Sequence, residues 1–80
     1  MTPDEIRERI LTVFRDRFEI DSPHHDEDLR EAYEFDSIDA IDLLREIELM
    51  RGTKLTLDQK KAAINIRTIN QIVDYVASLD

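Results

Sequence analysis

One four-residue pattern constrains this chain more than any other: a threonine followed three positions later by glutamate or glutamine. It occurs with Thr2 and Glu5, with Thr56 and Gln59, and with Thr68 and Gln71. In such a capping box the threonine oxygen accepts an N–H of the first helical turn, and the Glu or Gln side chain accepts the threonine N–H. The pattern therefore predicts three helix starts, and Pro3 reinforces the first because proline suits the first helical position.

Apolar residues follow these starts at the spacing of a helix face. They predict a helix from Pro3 to Arg17 or Phe18, a short helix from Thr56 to Ala63 or Ile64, and a last helix after Thr68. The residues expected in the core are Ile6, Ile10, Val13 and Phe14, flanked by Leu11 and Phe18, and then Ile69, Ile72, Val73 and Val76, with Tyr75 and Leu79 at the margins.

Residues 19–35 form a long connection without a sustained period, and Ser22-Pro23 prevents a helix from continuing through it. A connection of this length in a compact domain is normally pinned by buried side chains or functional. The expected pins are Ile20, Leu29, Tyr33 and Phe35. Residues 26–31 are compatible with a short helical turn.

His24 and His25 lie in this connection among aspartates, a composition that suggests a metal site. However, adjacent histidines suit one metal ion poorly, the HExxH spacing is absent, and Pro23 stands where a calcium loop needs a carboxylate or amide. The chain also lacks the Gly-x-Ser-x-Gly elbow of a hydrolase triad. We therefore predict no metal site, no catalytic residues and a solvated polar turn around the histidines.

The central helix is predicted from Ser37 to Met50 or Arg51, with Gly52 as its stop. Asp36 and Ser37 both suit its start, because their side-chain oxygens can accept the free N–H groups of the first turn. A phosphate on the Ser37 hydroxyl would also be favoured at this positive end of the helix. The alternative is that Ser37 only caps the helix.

The central helix carries more apolar residues than one buried face requires. The predicted core face contains Ala40, Leu43, Leu44, Ile47 and Met50. Off this face, Ile38, Ile41 and Leu49 are interleaved with Asp39, Asp42, Arg45, Glu46 and Glu48. Apolar contacts surrounded by charge are typical of a partner-docking surface. The alternative is that Ile38 and Ile41 pack under a neighbouring loop.

The net charge is −8, from 19 acidic and 11 basic residues. This charge disfavours nucleic-acid binding and suits partners with basic patches, although it also serves solubility alone. The absence of cysteine excludes disulfides and thiolate metal sites. No apolar run approaches the ~20 residues that span a bilayer, and the acidic start lacks a signal-peptide core. We expect one all-α domain over residues 1–80, monomeric and cytoplasmic.

The stretch Asp36-Ser37-Ile38-Asp39 resembles the Asp-Ser-Leu motif of acyl carrier proteins, whose serine carries 4′-phosphopantetheine. The resemblance continues through Leu43, Leu44, Ile47 and Glu48, and Ile66-Arg67-Thr68-Ile69 is similar to the family's start of its last helix. It implies a small four-helix bundle with three main helices, a short third helix and a long first loop. Periodicity alone indicates only a small all-α domain.

The resemblance also implies a carrier that is not an enzyme. A phosphopantetheinyl transferase would attach the arm to Ser37, beside Asp36, and the arm's thiol would hold acyl groups as thioesters. Ketosynthases and other acyl-processing enzymes of fatty-acid, polyketide or related lipid synthesis would be its partners. The implied docking residues are Ile38, Asp39, Ile41, Asp42, Arg45 and Glu48. A peptidyl or aminoacyl carrier and an unmodified helical interaction module are the alternatives.

Tyr33-Glu34 occupies a stretch that often contains glycine in the family, a departure that alters the approach of the loop to Ser37. Other departures favour a specialised rather than a housekeeping carrier: Ile38 replaces the usual leucine, and Arg45 stands where methionine is frequent. The third-helix region also looks longer and is locally basic, with Lys54, Lys60, Lys61 and Arg67. The alternative is that these cations only pair with nearby acids.

Overall fold

A computed structural model describes residues 1–79 of the chain. Within them the helices are α1 Pro3–Phe18, α2 Leu29–Tyr33, α3 Ser37–Arg51, α4 Leu57–Ala62 and α5 Ile69–Ser78. This part of the chain contains no strand and no helix that is long and apolar enough to cross a membrane. The all-α prediction is confirmed. The structure has one helix more than the expected four. This additional helix is α2, a short element inside the long first connection.

The helix starts follow the capping chemistry that the sequence predicts. Each of the three threonines accepts the N–H of its Glu or Gln partner, at 3.2 Å for Glu5 and 3.1 Å for both Gln59 and Gln71. Gly52 ends α3 in the left-handed conformation, with φ of 73°, which glycine adopts without strain. Helix α4 ends at Ala62, slightly before its predicted end, because residues 63–65 form turns.

The core lies where α1 packs against α5 and α3. Its fully buried side chains include Ile6, Ile10, Phe14, Ile47, Ile69, Ile72, Val73 and Val76. Val13, Leu11 and Phe18 are half-buried at its edge. Placing Tyr75 at the margin of the last helix was wrong. It is buried, and its hydroxyl donates to the Gln59 carbonyl at 2.6 Å, so that it joins α5 to α4.

The long connection is pinned by Ile20, Leu29 and Phe35, all buried as predicted. The prediction that Tyr33 is a fourth pin was wrong. Tyr33 is 37% exposed, because its hydroxyl donates to the Glu27 carboxylate at the surface, over 2.8 Å. The helical turn is α2, which begins at Leu29 since the preceding aspartate caps it.

Backbone and side-chain bonds tie this connection to the start of α5. The Leu29 N–H donates to the Arg67 carbonyl at 2.8 Å, and the Asn70 N–H donates to the His25 carbonyl at 2.9 Å. The Asn70 amide also donates to Asp26 Oδ1 at 2.6 Å. At the other end, the Phe35 ring packs on α1, 5.3 Å from the ring of Phe14. The residue immediately before Asp36 is therefore held in the core.

Candidate functional site

Ser37 is the first residue of α3, and Asp36 is its cap. Asp36 Oδ1 accepts the N–H groups of Ile38 and Asp39, each at 3.0 Å, and Asp39 Oδ2 accepts the Asp36 N–H at 3.2 Å. These bonds decide which of the two adjacent candidates caps the helix. Because Asp36 satisfies the first-turn N–H groups, the hydroxyl of Ser37 has no structural task at the helix end.

The three serines of the chain differ in what their hydroxyls do. Ser22 Oγ donates to the Asp21 carboxylate at 3.2 Å, and Ser78 Oγ donates to the Tyr75 carbonyl at 2.6 Å. Ser37 is exposed, and its hydroxyl forms no hydrogen bond with any residue in 1–79. Ser37 is therefore the serine that a modifying enzyme can reach without first breaking a bond.

The outer face of α3 begins beside Ser37 and is apolar where it is most exposed. Ile38 is 72% exposed and Ile41 is 62% exposed, so neither packs under a loop, and that alternative was wrong. Leu49 lies further along the same helix and is also exposed. Arg45 stands between Ile41 and Leu49 with its side chain in solvent.

The acidic residues of α3 divide into two groups. Asp39 and Asp42 are half-buried near Ser37 and belong to no ion pair within residues 1–79. Glu48 Oε2 accepts the Leu55 N–H at 2.8 Å, and Glu46 pairs with Arg17 at 3.5 Å. Three of the four α3 carboxylates named here are thus engaged in holding the fold together, since Asp39 also accepts the Asp36 N–H.

An apolar cavity of about 210 Å³ lies between α3, α4 and the start of α5, and Ser37 belongs to its lining. Its apolar lining consists of Phe35, Ala40, Ile41, Leu43, Leu44, Ile47, Ala63, Ile64, Ile66, Ile72 and Tyr75. A dry engineered cavity of about 150 Å³ lined by similar side chains binds benzene. This cavity is accordingly large enough to hold a short aliphatic group.

Comparison of the chain with known proteins identifies its family. Residues 8–76 match the family model described as phosphopantetheine attachment site. The chain is also 35% identical over 81 residues to acyl carrier protein 2 of Ralstonia nicotianae, a match that covers 99% of this chain and 96% of that protein. The chain belongs to the acyl carrier protein family. Acyl carrier proteins are carriers, not catalysts, and this family carries covalent 4′-phosphopantetheine. No solved structure shows a significant match.

The residues present fit that prosthetic group. A phosphodiester needs one accessible hydroxyl and tolerates its negative charge best at a helix N-terminus, and Ser37 supplies both in this acyl carrier protein. Within residues 1–79 no group of three or more His, Cys, Asp or Glu side chains is arranged to hold a metal ion.

Sequence reasoning missed the far wall of the cavity. Leu43, Leu44 and Ile47 were expected to face the core, but Ala63, Ile64 and Ile66 were not recognised as the side opposite them. Two cations that also line the cavity, Arg30 and Lys60, were missed as well. A usable signal was the run Ala62-Ala63-Ile64, whose small and apolar residues follow two lysines at the end of a short helix.

Proposed function

We propose that Ser37 is the attachment site of 4′-phosphopantetheine and that this acyl carrier protein holds acyl groups as thioesters for other enzymes. The single observation that supports this most strongly is the contrast among the serines. Ser37 alone of the three is exposed with an unbonded hydroxyl within residues 1–79, and it starts the helix whose outer face is apolar.

Attachment is a substitution at phosphorus. The Ser37 oxygen forms a phosphoester with the arm of coenzyme A, adenosine 3′,5′-bisphosphate leaves, and the hydroxyl proton passes to a base of the transferase. When bound, the group supplies the thiol that carries acyl cargo. The chain has no thiol of its own, because it contains no cysteine. The contribution of the chain is positional, because Asp36 fixes the start of α3 and keeps the attachment point electronegative.

Partner enzymes would dock on the face of α3 beside Ser37. Ile38 and Ile41 offer apolar area that is already in solvent, while Asp39 and Asp42 provide the negative charge that attracts basic patches. Arg45 adds one positive charge to this face. Glu48 belongs to the proposed docking set as well, through whichever oxygen its bond to Leu55 leaves available.

The cavity would shelter short acyl chains. Ser37 lines it, so a chain tethered there can reach its apolar wall. Each methylene that leaves water contributes about 0.8 kcal/mol. Hexanoyl cargo should therefore stabilise the fold more than acetyl cargo, and Ala63→Leu, which fills part of the cavity, should reduce that difference.

The attachment site is tested by mass spectrometry. The purified chain is incubated with coenzyme A, magnesium and a broad-specificity phosphopantetheinyl transferase, alongside the variants Ser37→Ala and Ser22→Ala. We expect a gain of one phosphopantetheinyl group in the parent and in Ser22→Ala, and none in Ser37→Ala with an unchanged circular dichroism spectrum. No gain in the folded parent would refute the proposal and favour the unmodified interaction module.

The docking surface is tested by the rate of the same reaction. Ile41→Ala should lower the transferase kcat/KM about tenfold, the effect of losing about 1.4 kcal/mol of contact. Leu57→Ala is the matched control, because Leu57 is equally exposed, at 68%, but lies on α4. Equal rates for the two variants would contradict a docking role for Ile41.

The charged residues of the chain bear on its cargo and pathway. The acidic residues around Ser37 favour acyl over aminoacyl cargo, and Arg45 with the basic α4 region favours a specialised lipid or polyketide pathway over housekeeping fatty-acid synthesis. A monomeric state and a cytoplasmic location stay predictions. Cargo identity is tested by releasing and weighing the thioester carried by the protein purified from its native cell.

A further inference from the structure

The charged residues that line the cavity have one sign only. Arg30 on α2 and Lys60 on α4 contribute to its lining, and no acidic residue within residues 1–79 does. In the whole chain the acidic residues outnumber the basic ones by 19 to 11. The cavity is therefore a locally positive site in a negative protein.

Neither cation is neutralised by the fold. Arg30 Nη2 donates to the Ile64 carbonyl at 3.5 Å, a long bond, and Arg30 forms no ion pair within residues 1–79. Lys60 forms no ion pair in the same part of the chain. By contrast Arg67, outside the cavity, pairs with Asp28 at 3.7 Å. The charges of Arg30 and Lys60 are thus available to an anion.

The two cations come from α2 and α4 and lie at the edge of the cavity. Lys60 is on α4, and the Arg30 guanidinium reaches the segment after α4 through the Ile64 carbonyl. Lys60 is exposed and Arg30 is half-buried, which places both at the rim rather than at the apolar base. A ligand in the cavity can therefore contact both its apolar wall and its positive rim.

We infer that this carrier holds acyl groups that bear a carboxylate, with the methylenes on the apolar wall and the carboxylate at Arg30 and Lys60. This inference rests on the proposed function of Ser37. Guanidinium and ammonium groups form short, charge-assisted hydrogen bonds with carboxylates, and these are stronger than neutral ones. A simple alkanoyl group of the same length gains nothing from the rim cations.

The experiment compares two cargoes of equal length, succinyl and butyryl. Each is loaded from its coenzyme A thioester by a broad-specificity transferase, loading is verified by mass, and melting temperatures are measured at low salt. We expect the succinyl form to melt about 4 °C higher than the butyryl form, the shift that an exposed ion pair gives in a domain of this size. Raising the ionic strength should shrink the difference.

Two double variants with the same change in net charge separate the effect of the rim cations from the effect of the overall charge of the protein. Arg30→Gln with Lys60→Gln should remove the succinyl advantage, whereas Lys54→Gln with Lys61→Gln, both exposed and outside the cavity lining, should retain it. If the first double variant does not fold, Lys60→Gln alone serves, since that residue is exposed. It should reduce the advantage.

The outcomes that overturn the inference differ from those that overturn the attachment site. Failure to load either cargo refutes the proposed function and the inference with it. Successful loading with equal melting temperatures refutes the inference alone, as does an advantage that persists without Arg30 and Lys60. A ³¹P shift in the cargo-free holo protein that moves in the Arg30 and Lys60 double variant, without any succinyl advantage, would assign these cations to the arm's phosphate instead.

Discussion

Replacing Asp36 by alanine tests whether the residue beside the proposed attachment serine acts through structure or through charge. Its Oδ1 atom accepts two N–H groups of the first turn of α3, both at 3.0 Å. Alanine leaves these two donors without a side-chain acceptor. The reciprocal bond from the Asp36 N–H to Asp39 uses the backbone of residue 36, so it can persist in the variant.

The expected loss of stability in Asp36→Ala follows from these contacts. Loss of a helix cap costs about 1 kcal/mol, within a range of about 0.5–2 kcal/mol. Loss of a carboxylate at the positive helix end adds about 0.3–1 kcal/mol at an exposed position such as this. Asp36→Ala should therefore lower the free energy of unfolding by about 1–2 kcal/mol. In a domain of this size that corresponds to a drop in Tm of roughly 5–12 °C.

The matched variant is Asp36→Asn, which keeps an oxygen acceptor for the first-turn N–H groups and removes only the charge. In urea titrations at low salt we expect the parent to be most stable, Asp36→Asn to be intermediate and Asp36→Ala to be least stable. The gap between the parent and Asp36→Asn should close as salt rises. Ser37→Ala should lie within about 0.5 kcal/mol of the parent, because its hydroxyl is exposed and unbonded. Parental stability in Asp36→Ala would refute the capping role, and equal destabilisation in the two Asp36 variants would refute the separation of cap from charge.

Three further predictions concern residues away from Ser37. Burial raises the pKa of Tyr75, so its contribution to stability is complete below the ordinary tyrosine pKa of ~10 and is lost as pH rises above it. Tyr75→Phe should cost about 1 kcal/mol at pH 7 and flatten that alkaline loss in pH-dependent melts. Glu48→Ala should cost about 1–3 kcal/mol in urea titrations, since it leaves the Leu55 N–H without its acceptor. Asn70→Ala should speed hydrogen exchange in residues 25–29 by removing the 2.6 Å bond to Asp26, with α3 unaffected.

Each of these has a control and a contradicting result. Tyr33, whose pKa is raised by its bond to Glu27, should contribute to the alkaline loss that remains in Tyr75→Phe, and an unchanged alkaline limb would contradict the assignment to Tyr75. Glu48→Gln keeps an acceptor and should be milder than Glu48→Ala. Uniform acceleration of exchange throughout the protein in Asn70→Ala would show that this bond supports the global fold rather than the connection.

What the sequence predicts well is local. The capping boxes, the stop at Gly52 and the alternation of buried and exposed positions in α3 each depend on residues within one or two turns of each other. The two tyrosines show the limit of prediction from local sequence. Tyr33 and Tyr75 have the same intrinsic chemistry, and their opposite burial is decided by partners elsewhere in the chain, the Glu27 carboxylate and the Gln59 carbonyl.

The candidate site shows the same division. Ser37 and its exposed neighbours could be predicted from the sequence, because a helix start and an excess of apolar residues lie within ten consecutive positions. The structural role of Glu48 could not be predicted, because its partner Leu55 lies beyond the turn at Gly52. The place of Arg30 in the cavity lining could not be predicted either. Its position at the cavity depends on α2 lying against the segment after α4, which only long-range packing brings together.

The assembly of the site from distant segments has a consequence for specificity. The proposed attachment point is built by the first turn of α3, whose capping bonds are internal to residues 36–39. The positive rim is built by α2 and α4, and α2 is tied to the start of α5 by the bond from the Leu29 N–H to the Arg67 carbonyl. If the two proposals hold, changes at the rim would alter which cargo is held without moving Ser37. Such a carrier would change its cargo while keeping its transferase.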